Sequence, residues 1–124
     1  MNPKVLLAAR ILVAIMMIVF GINKFAGFLP PPELSGDAAA YFGAMDAANV
    51  LAVVGILEVV TGLLFLTGKY MGLALIINAP IAFNALLFHV SLDPAGSGPA
   101  AFWVVLLIVI FIGIKDRFSE AFKA

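Results

Sequence analysis

The chain has 124 residues, of which 65% are hydrophobic and 11% charged, and its mean hydropathy is +1.19. Soluble domains carry about 45–50% apolar and about 25% charged residues, so this composition belongs in a bilayer. The seven Lys and Arg residues balance seven Asp and Glu, and cysteine is absent. That excludes a basic nucleic-acid module, disulfides, a thiolate nucleophile and thiol-ligated metal, so any redox role needs a bound cofactor or a partner.

Residues 4–22 form the first apolar run, close to the roughly 20 residues of a spanning helix. Asn23, Lys24 and Phe25 follow it where a signal peptide would show a small-residue cleavage site, so an uncleaved helix is expected. Arg10, Ala14, Met17, Gly21 and Lys24 share one stripe at helical spacing, which should look inward. Residues 26–48 make the longest connection, opening with Gly27 and Pro30, Pro31 and Pro32, which cannot continue a helix. Ser35 or Asp37 can cap a short helix reaching Met45, expected at the extracytoplasmic interface of the bilayer, with a lid over the bundle as a further role.

The second span, residues 49–67, carries Glu58 at its middle, with Gly55, Thr61 and Gly62 on the same face. A carboxylate at bilayer depth costs at least about 2.5–3.5 kcal/mol, so it should face protein and find polar partners. Thr67, Gly68 and Lys69 allow only a tight turn before the third span, residues 70–89, which makes the second and third spans antiparallel neighbours. Pro80 predicts a kink there, and Asn78, Asn84 and His89 supply polar groups. The fourth span, residues 99–114, is apolar apart from Trp103 near one end, and reads as a lipid-facing scaffold with an interfacial tryptophan. The remaining tail is too short for a domain, and no repeat is visible, so residues 1–124 form one integral-membrane domain.

The expected fold is all-α, a polytopic membrane four-helix bundle with a short interfacial helix between helices one and two. Lys4, Lys69, Lys115, Arg117 and Lys123 fall on the side of the termini and Arg10 near it, while Lys24 falls opposite with Glu33, Asp37, Asp46 and Asp93. The basic bias places both termini in the cytoplasm.

The candidate site comprises Arg10, Glu58, Asn78 and Asn84, with Lys24 and His89 in an outer layer. Each has a structural alternative. The asparagines can simply hydrogen-bond between helices, at about 0.6 kcal/mol each. Glu58 and Arg10 can form a register-setting pair or be bridged by water or ligand, and their direct pairing is left open. The functional alternative makes Glu58 a proton carrier or a partner for a polar headgroup. Lys24 is expected to snorkel to the headgroups and His89 to sit at the interface. A lone histidine without carboxylates at ligand spacing gives no metal site.

Arg10, then Gly21 with Lys24 and Phe25, the proline-containing outer segment, Gly55, Glu58 and Gly62, and Asn84 through His89 before Asp93 and Pro94 together resemble the DoxX family over roughly residues 6–117. The resemblance implies a four-helix protein of the bacterial inner membrane. Some relatives are subunits of thiosulfate:quinone oxidoreductase and others associate with membrane redox complexes. It also implies distant similarity to the fold of vitamin K epoxide reductase, for whose thiol chemistry this chain has no cysteines.

Two functions are expected. One is a small membrane subunit whose interhelical pocket accepts a quinone or similar apolar molecule with a polar head, beside a partner redox subunit. The other is a non-catalytic scaffold or assembly factor whose buried polar cluster is structural. Proton-coupled transport is weaker, because there are neither repeats nor paired broken helices. The chain has no nucleophile of its own to assign, and a homo-oligomer is left open.

Overall fold

The computed structural model describes residues 1–122, so Lys123, counted above in the charge bias, lies outside the described residues. Five α-helices appear in chain order: α1 Pro3–Ala26, α2 Gly36–Ala47, α3 Val50–Thr67, α4 Met71–Leu92 and α5 Ser97–Ile114. A 3-10 turn, Pro94–Gly96, precedes α5, and a 3-10 segment, Lys115–Phe122, follows it. No strand occurs among the described residues. Among the described residues, four segments are long and apolar enough to cross a membrane: α1, α3, α4 and Pro94–Phe118.

Local chemistry explains the boundaries. Asn2 caps α1, its side-chain oxygen accepting from the Lys4 amide at 2.8 Å, and Pro3 occupies a first-turn position whose missing amide is no loss. Gly27, at φ 62°, ends α1 in the left-handed conformation, and Gly68, at φ 74°, does the same for α3. Both α1 and α4 run past their expected ends, which puts Lys24 and His89 inside the last turns of helices.

The most extensive helix pairing is between α1 and α3, although α2 separates them in sequence. Glycines allow it. A Cβ on Gly21 would stand 2.8 Å from the Gly55 carbonyl oxygen, and one on Gly62 would stand 3.1 Å from that of Ala14. Helices in lipid gain little from burying oil against oil, so close backbone approach at small residues is what holds such a pair. The register is thereby antiparallel, Gly21 facing Gly55 and Ala14 facing Gly62. Helix α4 packs on α3 and α5, and α5 also packs on α1, while α1 and α4 make no direct approach.

Val13, Met17, Phe65 and Ile110 are fully buried between the helices, whereas Ile15, Val53, Ile56, Leu63, Leu73 and Val105 stand exposed around them. Such a coat of large apolar side chains suits acyl chains, not water. Helix α5 corrects one expectation. It is no mere lipid-facing scaffold, because Ala100, Trp103, Leu106, Leu107, Ile110 and Ile114 form a continuous buried stripe. Core and lipid are equally apolar, so a uniformly apolar helix carries no signal of which face looks where.

Candidate functional site

Three polar groupings occupy the interior and one end of the helices. The first joins three helices. Trp103 Nε1 of α5 donates to Asn78 Oδ1 at 2.7 Å, and Asn78 Nδ2 of α4 donates to Thr61 Oγ1 of α3 at 2.9 Å. Thr61 closes the chain by donating back to its own helix, 2.8 Å from the Leu57 carbonyl and 3.1 Å from that of Glu58. Asn78 and Thr61 are wholly buried and Trp103 nearly so. Buried amide, hydroxyl and indole groups are costly unless bonded, and here each finds a partner. Trp103 is therefore a core residue, not the interfacial anchor its place in the sequence suggests.

The second grouping is an ion pair. Glu58, 3% exposed, accepts from Lys24 Nζ at 2.5 Å, and the lysine side chain is 24% exposed. Lys24 thus turns inward where snorkelling was expected. Side chains lean toward the N-terminus of their own helix. In the antiparallel α1–α3 register, Lys24 lies toward the α2 end and leans away from it, while Glu58 leans toward it, so the two converge. Gly55 leaves room, since a Cβ there would meet Lys24 Cβ at 3.1 Å.

Arg10 stands apart. Near the other end of the same helix it leans away from Glu58, and its guanidinium lies against Gly68, where an added Cβ would come within 2.6 Å of Nη1. Its Nε is buried without a hydrogen-bond acceptor. No hydrogen bond joins Arg10 to Asn78, which is engaged by Thr61 and Trp103.

The third grouping gathers at the α2 end. Tyr41 donates its phenolic hydroxyl to Asn84 Oδ1 at 3.3 Å and stacks on Phe88, the ring centroids 5.4 Å apart. Phe42 lies 6.5 Å and His89 5.0 Å from the same phenylalanine ring. His89 Nδ1 is 3.0 Å from Asp93 Oδ2, and the missing side chain of Gly96 leaves space for that contact. Asn23 is used locally, its side-chain oxygen accepting from the Leu29 amide at 2.8 Å. Depth links this grouping to the ion pair. Glu58 follows Val50, the first residue of α3, by eight positions, and Asn84 precedes Leu92, the last of α4, by eight. At about 1.5 Å per residue both lie about 12 Å from that end of their helices.

Of the four residues expected to line one pocket, the structure joins none directly to another. Glu58 goes to Lys24, Asn78 to Thr61 and Trp103, Asn84 to Tyr41, and Arg10 to the end of α3. A groove of about 410 Å³ between α4 and α5, lined by residues such as Ala79, Phe83, Leu107 and Phe111, is apolar and includes none of them. Sequence reasoning missed Tyr41 and Trp103 as partners. A buried indole needs an acceptor, and Asn78 was available, but depth estimates for Trp103 pointed to the interface. Among the described residues no group of three or more His, Asp or Glu is placed to hold a metal ion.

Among the described residues, four apolar segments of spanning length with few polar side chains within them define a small multi-pass integral membrane protein. The DoxX family model matches residues 5–91, which contain most of α1, all of α2 and α3, most of α4, and every polar grouping except Trp103 and Asp93. The chain belongs to the DoxX family. No match was found among curated proteins or among solved structures.

Proposed function

We propose that this DoxX-family protein is a ligand-binding subunit of the bacterial inner membrane, with both termini cytoplasmic and α2 lying at the outer interface as a lid. The four spanning helices form one bundle, and the whole chain is a single domain. The ligand is a quinone or a similar apolar molecule with a polar head. One observation carries this reading: Tyr41 of α2 ties down onto Asn84 and Phe88 of α4 at the same depth as the Glu58–Lys24 pair.

That layer offers what a quinone head requires. Lys24, Tyr41 and the Asn84 amide are donors for carbonyl oxygens, and Phe88 presents a ring face for stacking. Glu58 holds the lysine in place, His89 stands at the rim, and the Asn78 network braces the helices further in. Arg10 lies apart from this layer. The chain supplies no thiol, so electrons would pass through the ligand to a partner redox subunit.

Ubiquinone-1 titrated against the purified protein in mild detergent tests the reading, with binding followed by equilibrium dialysis. Wild type is expected to bind saturably, and Glu58→Gln to bind at least about tenfold more weakly while remaining folded by circular dichroism. Equal binding by a folded Glu58→Gln protein would overturn the assignment.

A second reading is favoured by the closed Trp103–Asn78–Thr61 network, which leaves those three groups no need of a ligand. In it the protein is a non-catalytic scaffold, and α2 docks the partner. Loss of a co-purifying subunit upon substitution in α2, with no quinone binding by wild type, distinguishes it.

A further inference from the structure

We infer that Arg10 and Lys69 form a binding site for the phosphodiester of an anionic phospholipid, on the face of the membrane that carries the chain termini. Arg10 sits within a spanning helix, yet it takes part in neither of the ion pairs found among the described residues, which are Lys24–Glu58 and His89–Asp93. Its Nε is enclosed without an acceptor. A guanidinium cannot shed its charge, and a cation where a spanning helix ends attracts anionic headgroups.

The position of the head indicates what compensates it. Arg10 leans toward the start of α1 and comes to rest on Gly68, the residue that ends α3. Gly68 has no side chain to obstruct it. The carbonyl end of α3 carries partial negative charge and favours a cation, but that accounts for one side of the planar group only. Lys69 follows Gly68 directly and is exposed. The two cations therefore stand at the level where a spanning helix stops, which is where lipid phosphates lie.

The terminal Nη1 and Nη2 of the fork, which are not enclosed as Nε is, suit a phosphate oxygen pair, bonding it bidentately while the nearby ammonium adds charge. Exposed Leu7, one turn from Arg10, and exposed Leu66, just before the end of α3, give acyl chains an apolar surface at the same site. A soluble phosphate would gain nothing from them. The inference is independent of the quinone reading, which concerns the opposite end of the helices.

The test compares thermal unfolding of the full chain in a non-ionic detergent with added phosphatidylglycerol, phosphatidylcholine or inorganic phosphate, alongside native mass spectrometry of the lipid adducts. Wild type is expected to melt several degrees higher with phosphatidylglycerol than with phosphatidylcholine. Arg10→Gln should lose that difference and about tenfold in adduct retention, Lys69→Gln should lose part of both, and Arg10→Lys should keep part. A purely structural Arg10 would lower the melting temperature of Arg10→Gln while leaving the difference between lipids intact, which would overturn the inference. An equal gain from inorganic phosphate would overturn the lipid as its source. If Arg10→Gln does not fold, Lys69→Gln decides, since an undiminished lipid difference in it also overturns the proposed site.

Discussion

The two ends of the α1–α3 seam treat a cation in opposite ways. Toward the α2 end, Lys24 reaches down from its helix and meets Glu58. At the other end, Arg10 lies against the bare backbone of Gly68 without a carboxylate. Both residues occupy the same stripe of the same helix, and both lean toward its N-terminus. Because Lys24 sits in the last turn of α1 and Arg10 nearer its start, that common lean carries Lys24 toward the middle of the membrane and Arg10 toward its edge. One basic residue is thereby satisfied within the protein, and the other is presented at the boundary.

The contrast depends on the register, so the largest effect should come from disturbing it. Gly62→Leu places a branched side chain where even a Cβ would stand 3.1 Å from the Ala14 carbonyl and 2.9 Å from Ile18 Cγ1. Separation of α1 from α3 should cost about 3 kcal/mol or abolish the folded protein, measured as melting temperature and as yield of monodisperse protein. Unchanged stability would mean that the glycine seam does not set the register.

A smaller loss is expected from Asn78→Ala, which strands the Trp103 indole and removes the link between α4 and α3. Leaving one buried donor unmet costs about 2 kcal/mol, read as a lower melting temperature together with a shift in Trp103 fluorescence. The Lys24–Glu58 pair is held by α1 and α3 alone, so quinone binding by a folded Asn78→Ala protein should persist. The least effect on stability belongs to Tyr41→Phe. Its hydrogen bond is exposed and 3.3 Å long, and its removal should cost about 0.5 kcal/mol or less. If α2 is a lid, ligand release should nevertheless quicken, which stopped-flow measurement of quinone dissociation would show.

Individual residues show how far the sequence could be read. Glu58 announces itself as a buried acid needing company, since a lone carboxylate amid apolar residues has few physical explanations. Gly21, Gly55 and Gly62 likewise announce close helix contact, and the structure places all three in one seam. Trp103 does not declare its position. A residue six places into an apolar helix can face lipid, headgroups or core, and only the neighbouring Asn78 decides. Asn84 was legible as polar, but its partner comes from α2, whose packing on α4 no local pattern encodes.

By itself the sequence determined the membrane class, the four spans, the helix end at Gly68, and the need for polar partners inside, because these follow from transfer energies and backbone conformation residue by residue. Only the tertiary structure decided that Glu58 pairs with Lys24 in place of Arg10, that α5 lines the core, and that α1 and α4 stay apart. Those outcomes depend on which helices touch and in what register, and neither composition nor periodicity carries that information when protein interior and lipid are equally apolar.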